Sequence, residues 1–159
     1  MKTPKIYLET TMFNFPFSDD SPQYKADTLK LFNEIKTGRF EPYTSEYVID
    51  ELNKTTDTNK RERMKSLIAD YNVKILPVNN EVNILATIYI QNGIIPERFA
   101  TDALHIAAAT VNNLDFIVSL NFQHIVKHTT IIKTEIINAN EGYKRIFIHT
   151  PAAVINYDN

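Results

Sequence analysis

The sequence predicts an α/β fold, a three-layer sandwich in which helices cover both faces of a central, mainly parallel sheet. One reason is the order of elements, because short apolar runs alternate with segments whose apolar residues recur at helical spacing. A second is the apolar run at residues 6–8, which passes at once into a carboxylate and two hydroxyls, Glu9, Thr10 and Thr11. A buried parallel strand ends in this way when it delivers polar groups to a site. The 159 residues suit one domain at residues 1–150, with a short C-terminal tail at residues 151–159.

The first helix is predicted between Ser21, which can cap it, and Gly38, which lies where it should end. Pro22 fits the first helical position. The segment between the first strand and this helix is rich in aromatic residues, which either pack in the core or form the interface of a homodimer. These aromatic residues are Phe13, Phe15 and Phe17.

A short strand at residues 41–43 and a helix at residues 46–53 follow, and Thr44 or Ser45 is expected to cap this helix. Glu51 lies at the border of the helix's apolar stripe, at about 100° per residue. It can therefore face a site, although an exposed position on the helix surface is the common alternative.

Residues 54–65 form the one locally basic stretch, at the start of a further helix. Such a charge run is usually a solvated face. The alternative is a surface that contacts RNA phosphates, with Arg61 and Arg63 as the candidates. A strand at residues 73–76 and a helix from Asn79 or Asn80 to Gln91 complete the first part of the alternating pattern.

Residues 101–109 are rich in Ala and Leu and predict a helix that packs closely on the sheet. Asp102 falls in its first turn, where the helix dipole favours a carboxylate. His105, one turn later, is expected either to hydrogen-bond Asp102 or to be a partly buried helix histidine.

Residues 115–121 predict another strand with a polar end, and Asn121 is expected to start a short helix, where an N-cap role is its structural alternative. His124 and His128 are not expected to form a histidine metal site. A helix at residues 134–140, a strand at residues 146–148 and a helix start at residues 150–151 close the chain.

Composition excludes several classes of protein. The chain has no Cys, which rules out disulfides, thiolate metal sites and a cysteine nucleophile and is compatible with a reducing cytoplasm, where we expect the protein to be located. We recognise neither a membrane span nor a secretory signal. The formal net charge of −2 gives no global attraction to nucleic acid, so phosphate binding needs a local basic patch or a bound metal.

Ligands of an open parallel sheet gather outside the carboxyl ends of its strands. Glu9 and Asn121 lie at such ends, Asp102 lies at a helix start, and Glu51 can join them from the flanking helix. Three carboxylates together are unfavourable unless a cation neutralises them, and oxygen ligands suit Mg²⁺ or Mn²⁺. Metals held in this way can activate water for phosphodiester hydrolysis.

At these residues the chain resembles the PIN-domain family of metal-dependent ribonucleases, which includes the VapC-like toxins of toxin–antitoxin pairs. The resemblance rests on four segments in the family's order, at residues 6–11, 45–52, 102–107 and 116–122. It implies an endoribonuclease with Mg²⁺ or Mn²⁺ as cofactor, RNA as substrate, a small antitoxin as partner, and often a homodimer. The four site residues that it implies, catalytic and metal-binding alike, are Glu9, Glu51, Asp102 and Asn121.

Two departures from the family pattern affect this site. The family usually has Asp at the first position, where Glu9 reaches about one methylene further, and an acid at the fourth, where Asn121 is neutral. We therefore expect weak metal binding and weak activity. Thr10 and Ser119 are expected either to support the acids or to serve in the core and as caps. The main alternative function is a PIN-like RNA- or protein-binding module without turnover that uses residues 54–65, and a small-molecule phosphatase is a distant third.

Overall fold

The computed structural model describes residues 2–156. Five strands form one sheet. They are β1 (Lys5–Leu8), β2 (Glu41–Ser45), β3 (Lys74–Leu76), β4 (Phe116–Val118) and β5 (Phe147–His149). The helices are α1 (Thr11–Asn14), α2 (Pro22–Lys36), α3 (Glu46–Asn53), α4 (Thr58–Asp70), α5 (Asn80–Gln91), α6 (Ala100–Val111), α7 (His128–Asn140) and α8 (Pro151–Ile155). Short 3-10 turns lie at Phe15–Phe17 and Glu97–Phe99.

The sheet confirms the predicted α/β class. Its strand order is β3-β2-β1-β4-β5, and every neighbouring pair is parallel. β1 is the central strand, with Ile6 opposite Pro42 of β2 on one side and Phe116 of β4 on the other. Because all strands run the same way, the residues that follow β1 and β4 emerge at the same edge of the sheet, the carboxyl edge.

Burial on both faces explains the continuous apolar runs of the central strands. Ile6, Tyr7 and Leu8 have no exposed surface, nor do Ile117 and Val118 of β4. Full burial of one such side chain stabilises the fold by about 1.5–3 kcal/mol. Small residues let α6 approach the sheet closely, and its alanines at positions 103 and 107–109 are likewise fully buried.

Most helix boundaries agree with the sequence, and the differences are local. α7 begins at His128, before the predicted position 134. The residues after Asn121 form a hydrogen-bonded turn instead of a helix, because the backbone N–H groups of Ile125 and Val126 both donate to the Asn121 carbonyl. Ser21 and Ser45 do precede α2 and α3, but neither side chain caps its helix.

The aromatic segment before α2 belongs largely to the core. Phe13 is fully buried, while Phe15 and Phe17 are partly buried against the core. The tail predicted at residues 151–159 contains α8, which packs on α2 and buries Val154 and Ile155, and residues 157–159 lie outside the described part of the chain. Within residues 2–156, no helix is both long and apolar enough to cross a membrane.

Candidate acid site at the carboxyl edge of the sheet

Glu9 follows β1 directly, and its hydrogen bonds connect the end of β1 to the end of β4. Its carboxylate oxygen Oε1 accepts hydrogen bonds from Ser119 Oγ at 2.7 Å, from Thr11 Oγ1 at 2.6 Å and from the Thr11 backbone N–H at 3.2 Å. Thr11 Oγ1 in turn accepts a hydrogen bond from the Leu120 N–H at 2.9 Å. The acid is therefore held rigidly from both sides, and its side chain cannot turn without breaking these bonds.

Burial dominates the electrostatics of Glu9, which is only 3% exposed. Burial raises the pKa of this carboxyl above its ordinary value, although the nearby His105 and the hydrogen bonds from Thr11 and Ser119 pull it down. The second oxygen, Oε2, accepts no hydrogen bond from residues 2–156 and is not fully buried. One oxygen of Glu9 therefore remains available to a ligand.

Glu51 projects from α3 towards the same edge. Its Oε1 accepts a hydrogen bond from Thr10 Oγ1 at 2.7 Å and lies 2.5 Å from His105 Nε2. Burial favours the neutral acid, but the hydrogen bonds and charge of His105 together with Thr10 outweigh it and lower the pKa of Glu51. Because an ionised carboxylate only accepts hydrogen bonds, His105 Nε2 carries the proton that it donates to Glu51.

His105 is completely buried between α6 and the sheet. Its other ring nitrogen, Nδ1, lies 2.7 Å from the Tyr7 hydroxyl, which is also hydrogen-bonded to Ser45 Oγ at 2.6 Å. Burial lowers the pKa of His105, but Glu51, Glu9 and Asp102 outweigh it, so that the pKa lies above its ordinary value. His105 is therefore bonded to Glu51, and the charges of Glu9 and Asp102 also favour its protonated form.

The two expectations for His105 were therefore wrong. The ring does not bond Asp102, and it is fully rather than partly buried, because Tyr7 and Glu51 occupy both of its nitrogens. Asp102 instead pairs with His124, whose Nδ1 lies 2.9 Å from Asp102 Oδ2.

Asn121 and His124 belong to one turn that joins Glu9 to Asp102. The Asn121 N–H donates to Ser119 Oγ at 2.9 Å, and Ser119 Oγ donates onward to Glu9. The Asn121 side-chain oxygen accepts from the His124 N–H at 3.1 Å, a bond of the kind expected for an N-cap, but it closes a turn because no helix begins here. The His124 ring packs on Phe99, with ring centroids 4.1 Å apart. This turn, residues 121–124, is called the bridging turn below.

The two candidate arginines have partners other than Glu9, Glu51 and Asp102. Arg61 is largely engaged, donating from Nη1 to the Thr55 carbonyl at 3.2 Å and lying 3.6 Å from Glu62. Arg63 is exposed, and its guanidinium lies over the Phe17 ring at 4.6 Å. Of these two arginines, Arg63 is the one that offers its guanidinium to solvent.

The donor types at this edge suit a hard divalent cation, but the donors are not gathered into a ready-made centre. Glu9, Glu51 and Asp102 each have one oxygen that no hydrogen bond within residues 2–156 uses. Carboxylate oxygens are the ligands that Mg²⁺ and Mn²⁺ prefer. Within the same residues, however, no three His, Asp or Glu side chains form a group that could hold an ion. The chemistry of these acids therefore suits a divalent metal ion. Such an ion would compete with His105 for Glu51 and with His124 for Asp102.

Sequence reasoning missed several residues that support the acids. Thr11 was recognised as a polar residue after the first strand but received no role of its own. Tyr7 was given no role beyond the strand, and His124 was considered only as a metal ligand. The position of Thr11, two residues beyond a buried strand and its acid, was a usable signal because a short hydroxyl can reach back to that acid. Nothing in the sequence indicated which histidine would pair with which acid, since that depends on how α6, α3 and the bridging turn are placed.

The fold and this site define the chain as an α/β protein with three hydrogen-bonded acids, Glu9, Glu51 and Asp102, at the carboxyl edge of a parallel sheet. No protein-family model and no curated protein matches the sequence. The structure is similar to a chain in the crystal structure of VapBC2 from Rickettsia felis bound to a DNA fragment from its promoter, with a TM-score of 0.57 and 16% identity. The match covers 92% of this chain and 98% of that one, so the two share their fold over nearly their whole length.

Proposed function

We propose that this protein is a metal-dependent endoribonuclease of the PIN type, with Mg²⁺ or Mn²⁺ as its cofactor. One observation carries the proposal, which is that hydrogen bonds place three acids at the carboxyl edge of a parallel sheet. Ser119 and Thr11 hold Glu9, the buried His105 bonds Glu51, and His124 bonds Asp102. Placing three carboxylates near one another is electrostatically unfavourable, so their presence at one edge favours a chemical role for them. The fold shared with a chain of the VapBC2 crystal structure supports the same class.

Glu9, Glu51 and Asp102 would hold the ion through their unbonded oxygens, and Asn121 would contribute at most a neutral amide oxygen. When bound, the metal would activate water and brace the phosphate for in-line displacement. The chain's own part is to position the acids. Thr11 and Ser119 hold Glu9, while Thr10 and His105 hold Glu51.

The proposed partners follow from the same class. RNA is the proposed substrate, and we propose a small antitoxin as the protein partner because the similar chain comes from a VapBC2 structure. Co-expression with the product of a neighbouring small reading frame, followed by co-purification, tests the antitoxin. Light scattering of the purified chain tests the homodimer that the resemblance implies.

Isothermal titration of Mn²⁺ into metal-free protein tests the site before any activity is assayed. We expect saturable binding that Asp102→Asn abolishes, because removing one of three carboxylates removes both a ligand and a charge. Asp50→Asn is the matched control, since this exposed acid next to Glu51 loses the same charge outside the site. Equal binding by wild type and Asp102→Asn would overturn the assigned ligand set.

Cleavage of single-stranded RNA with Mg²⁺ or Mn²⁺ then tests the reaction. We expect weak cleavage by the natural chain, none with Asp102→Asn, and faster cleavage when Glu9→Asp is combined with Asn121→Asp. The double change restores the shorter acid and the missing charge that the family pattern has. Metal binding without cleavage in either protein would contradict the nuclease proposal.

A binding module without turnover is the second candidate, and one observation favours it. Glu51 and Asp102 are already hydrogen-bonded to His105 and His124, so their charges are partly compensated without a metal. This candidate predicts RNA binding that survives Asp102→Asn and is lost when Arg61 and Arg63 are both changed to Glu. Retained binding in the arginine variant would count against it.

A further inference from the structure

Two exposed aromatic rings pack together beside the acid site. Phe122 in the bridging turn is 46% exposed and Tyr24 near the start of α2 is 39% exposed. Their ring centroids are 5.8 Å apart with an angle of 37° between the planes, and Tyr24 also packs edge-on against Phe15 at 5.6 Å. Large aromatic side chains are ordinarily buried, so a pair that keeps this much surface in water is a candidate contact surface. Tyr24 and Phe122 are called the aromatic platform below.

The bridging turn fixes the platform relative to the acids. Phe122 lies between Asn121, which is linked through Ser119 to Glu9, and His124, which is bonded to Asp102. A ligand that contacts Phe122 therefore lies next to a segment anchored at two of the three carboxylates. Because these anchors are hydrogen bonds of 2.7–2.9 Å, the platform and the acids form one connected unit.

Two exposed arginines lie over aromatic rings in segments that adjoin the platform. Arg63 lies over Phe17, which belongs to the same 3-10 turn as Phe15, the ring that supports Tyr24. Arg98 lies 4.9 Å from the centroid of Phe99, the ring against which His124 packs. Cations beside exposed aromatic rings are the combination that binds single-stranded nucleic acid, in which guanidinium groups contact phosphates and rings stack on bases.

We propose that the aromatic platform binds unpaired nucleobases of a single strand of RNA whose backbone runs past the acid site. This inference rests on the proposed function, because it names the part of the substrate that the site holds. Bases splayed out of a strand can stack on aromatic rings whatever their identity, so the platform gives affinity with little sequence preference. It also predicts preference for single strands, because the bases of a duplex are already stacked on one another.

RNA binding is measured without metal. A failure of the stacking proposal can then be distinguished from a failure of the nuclease proposal, which needs the metal. The probe is a fluorescein-labelled 12-residue oligoadenylate, in EDTA, beside an abasic ribose-phosphate chain of the same length. We expect Phe122→Ala and Tyr24→Ala each to weaken oligoadenylate binding about tenfold, the loss typical of one stacked base. Binding of the abasic chain should not change, because it has no base to stack.

Phe147→Ala is the matched control for Phe122→Ala. Phe147 is 39% exposed and has the guanidinium of Arg145 over its ring, but it pairs with the first residue of β4 and so lies at the opposite, amino edge of the sheet. We expect it to bind oligoadenylate like the wild type. Phe122→Trp should retain binding because it keeps a stacking surface.

The Trp variant also supplies a direct reporter, since the chain contains no other Trp. Emission of Phe122→Trp should be quenched by oligoadenylate and not by the abasic chain, whereas Phe147→Trp should respond to neither. Similar quenching by oligodeoxyadenylate would support the same stacking, because the platform contacts bases and not ribose.

Unchanged oligoadenylate affinity in both Phe122→Ala and Tyr24→Ala would overturn the platform, and the nuclease proposal would still stand on the cleavage assay. Equal loss of affinity for the abasic chain would also overturn it, because the contact would then be to the backbone. If Phe122→Ala instead converts a dimer to a monomer without affecting RNA binding, the surface is a protein interface and the proposal is wrong. Loss of cleavage with the platform intact would overturn only the proposed function.

Discussion

Glu9 is the residue at which stability and the proposed function are most directly opposed. Its carboxyl is almost fully buried, and burial raises its pKa against the hydrogen bonds and the histidine that favour the charged form. A carboxyl whose pKa is raised by folding contributes stability below its unfolded value, about 4.3, and loses that contribution as the pH rises through the folded value. At neutral pH the charge on Glu9 is therefore unfavourable for folding.

Glu9→Gln tests this opposition. We expect the metal-free variant to be more stable than the wild type by about 1 kcal/mol at pH 7.5, which raises Tm by about 2–4 °C. The gain should shrink as the pH falls and vanish below the unfolded value, about 4.3, where the wild-type carboxyl is neutral in both the folded and the unfolded state. Thermal unfolding followed by circular dichroism in EDTA measures both, with the exposed Glu62→Gln as the control that changes little. A lower Tm at pH 7.5 would mean that the bonds from Thr11 and Ser119 stabilise the charged form more than burial destabilises it.

At the scale of elements, spacing in the sequence predicted the helices and the strands well because both depend on local periodicity. α3 and α5 begin and end where the apolar pattern and the flanking caps indicated. The contacts of the site were less predictable. His105 lies one turn after Asp102 in α6, yet it bonds Glu51 from α3, because its partner is decided by how two helices meet over β1. Ser45 likewise precedes α3, but Tyr7 engages its hydroxyl and no capping bond forms.

The bridging turn shows the same limit, since Asn121 combines an observed side chain–backbone hydrogen bond with a proposed place in the metal site. Asn121→Ala should lower the free energy of unfolding by about 1 kcal/mol, the usual net loss for one hydrogen bond. Asn121→Asp should keep stability, because a carboxylate oxygen can accept the same bond, and should strengthen Mn²⁺ binding by adding a charge. Urea unfolding and Mn²⁺ titration separate the two effects. Equal stability of all three proteins would show that the turn does not depend on this bond.

The whole molecule carries a net charge of −2, and three carboxylates, Glu9, Glu51 and Asp102, lie at the edge where RNA is proposed to bind. Affinity for a polyanion must then come from a few local cations and from stacking, in contrast to proteins with a broad basic face. The basic stretch at residues 54–65 offers fewer available cations for RNA binding than its composition indicated, because Arg61 is held by Thr55 and Glu62. Arg63 and Arg98 are the exposed guanidinium groups beside the aromatic platform.

This distribution of charge predicts an unusually weak salt dependence of RNA binding. If two arginines each neutralise one phosphate of a single strand, log K should fall with log salt with a slope of about −1.4. Arg98→Gln or Arg63→Gln should reduce the slope by about 0.7, whereas Arg145→Gln at the amino edge should leave it unchanged. Titrations of oligoadenylate in EDTA at several KCl concentrations measure these slopes. A slope steeper than about −3 in the wild type, unaffected by either arginine, would show that the strand follows a different face of the protein from the one that bears the acids and the platform.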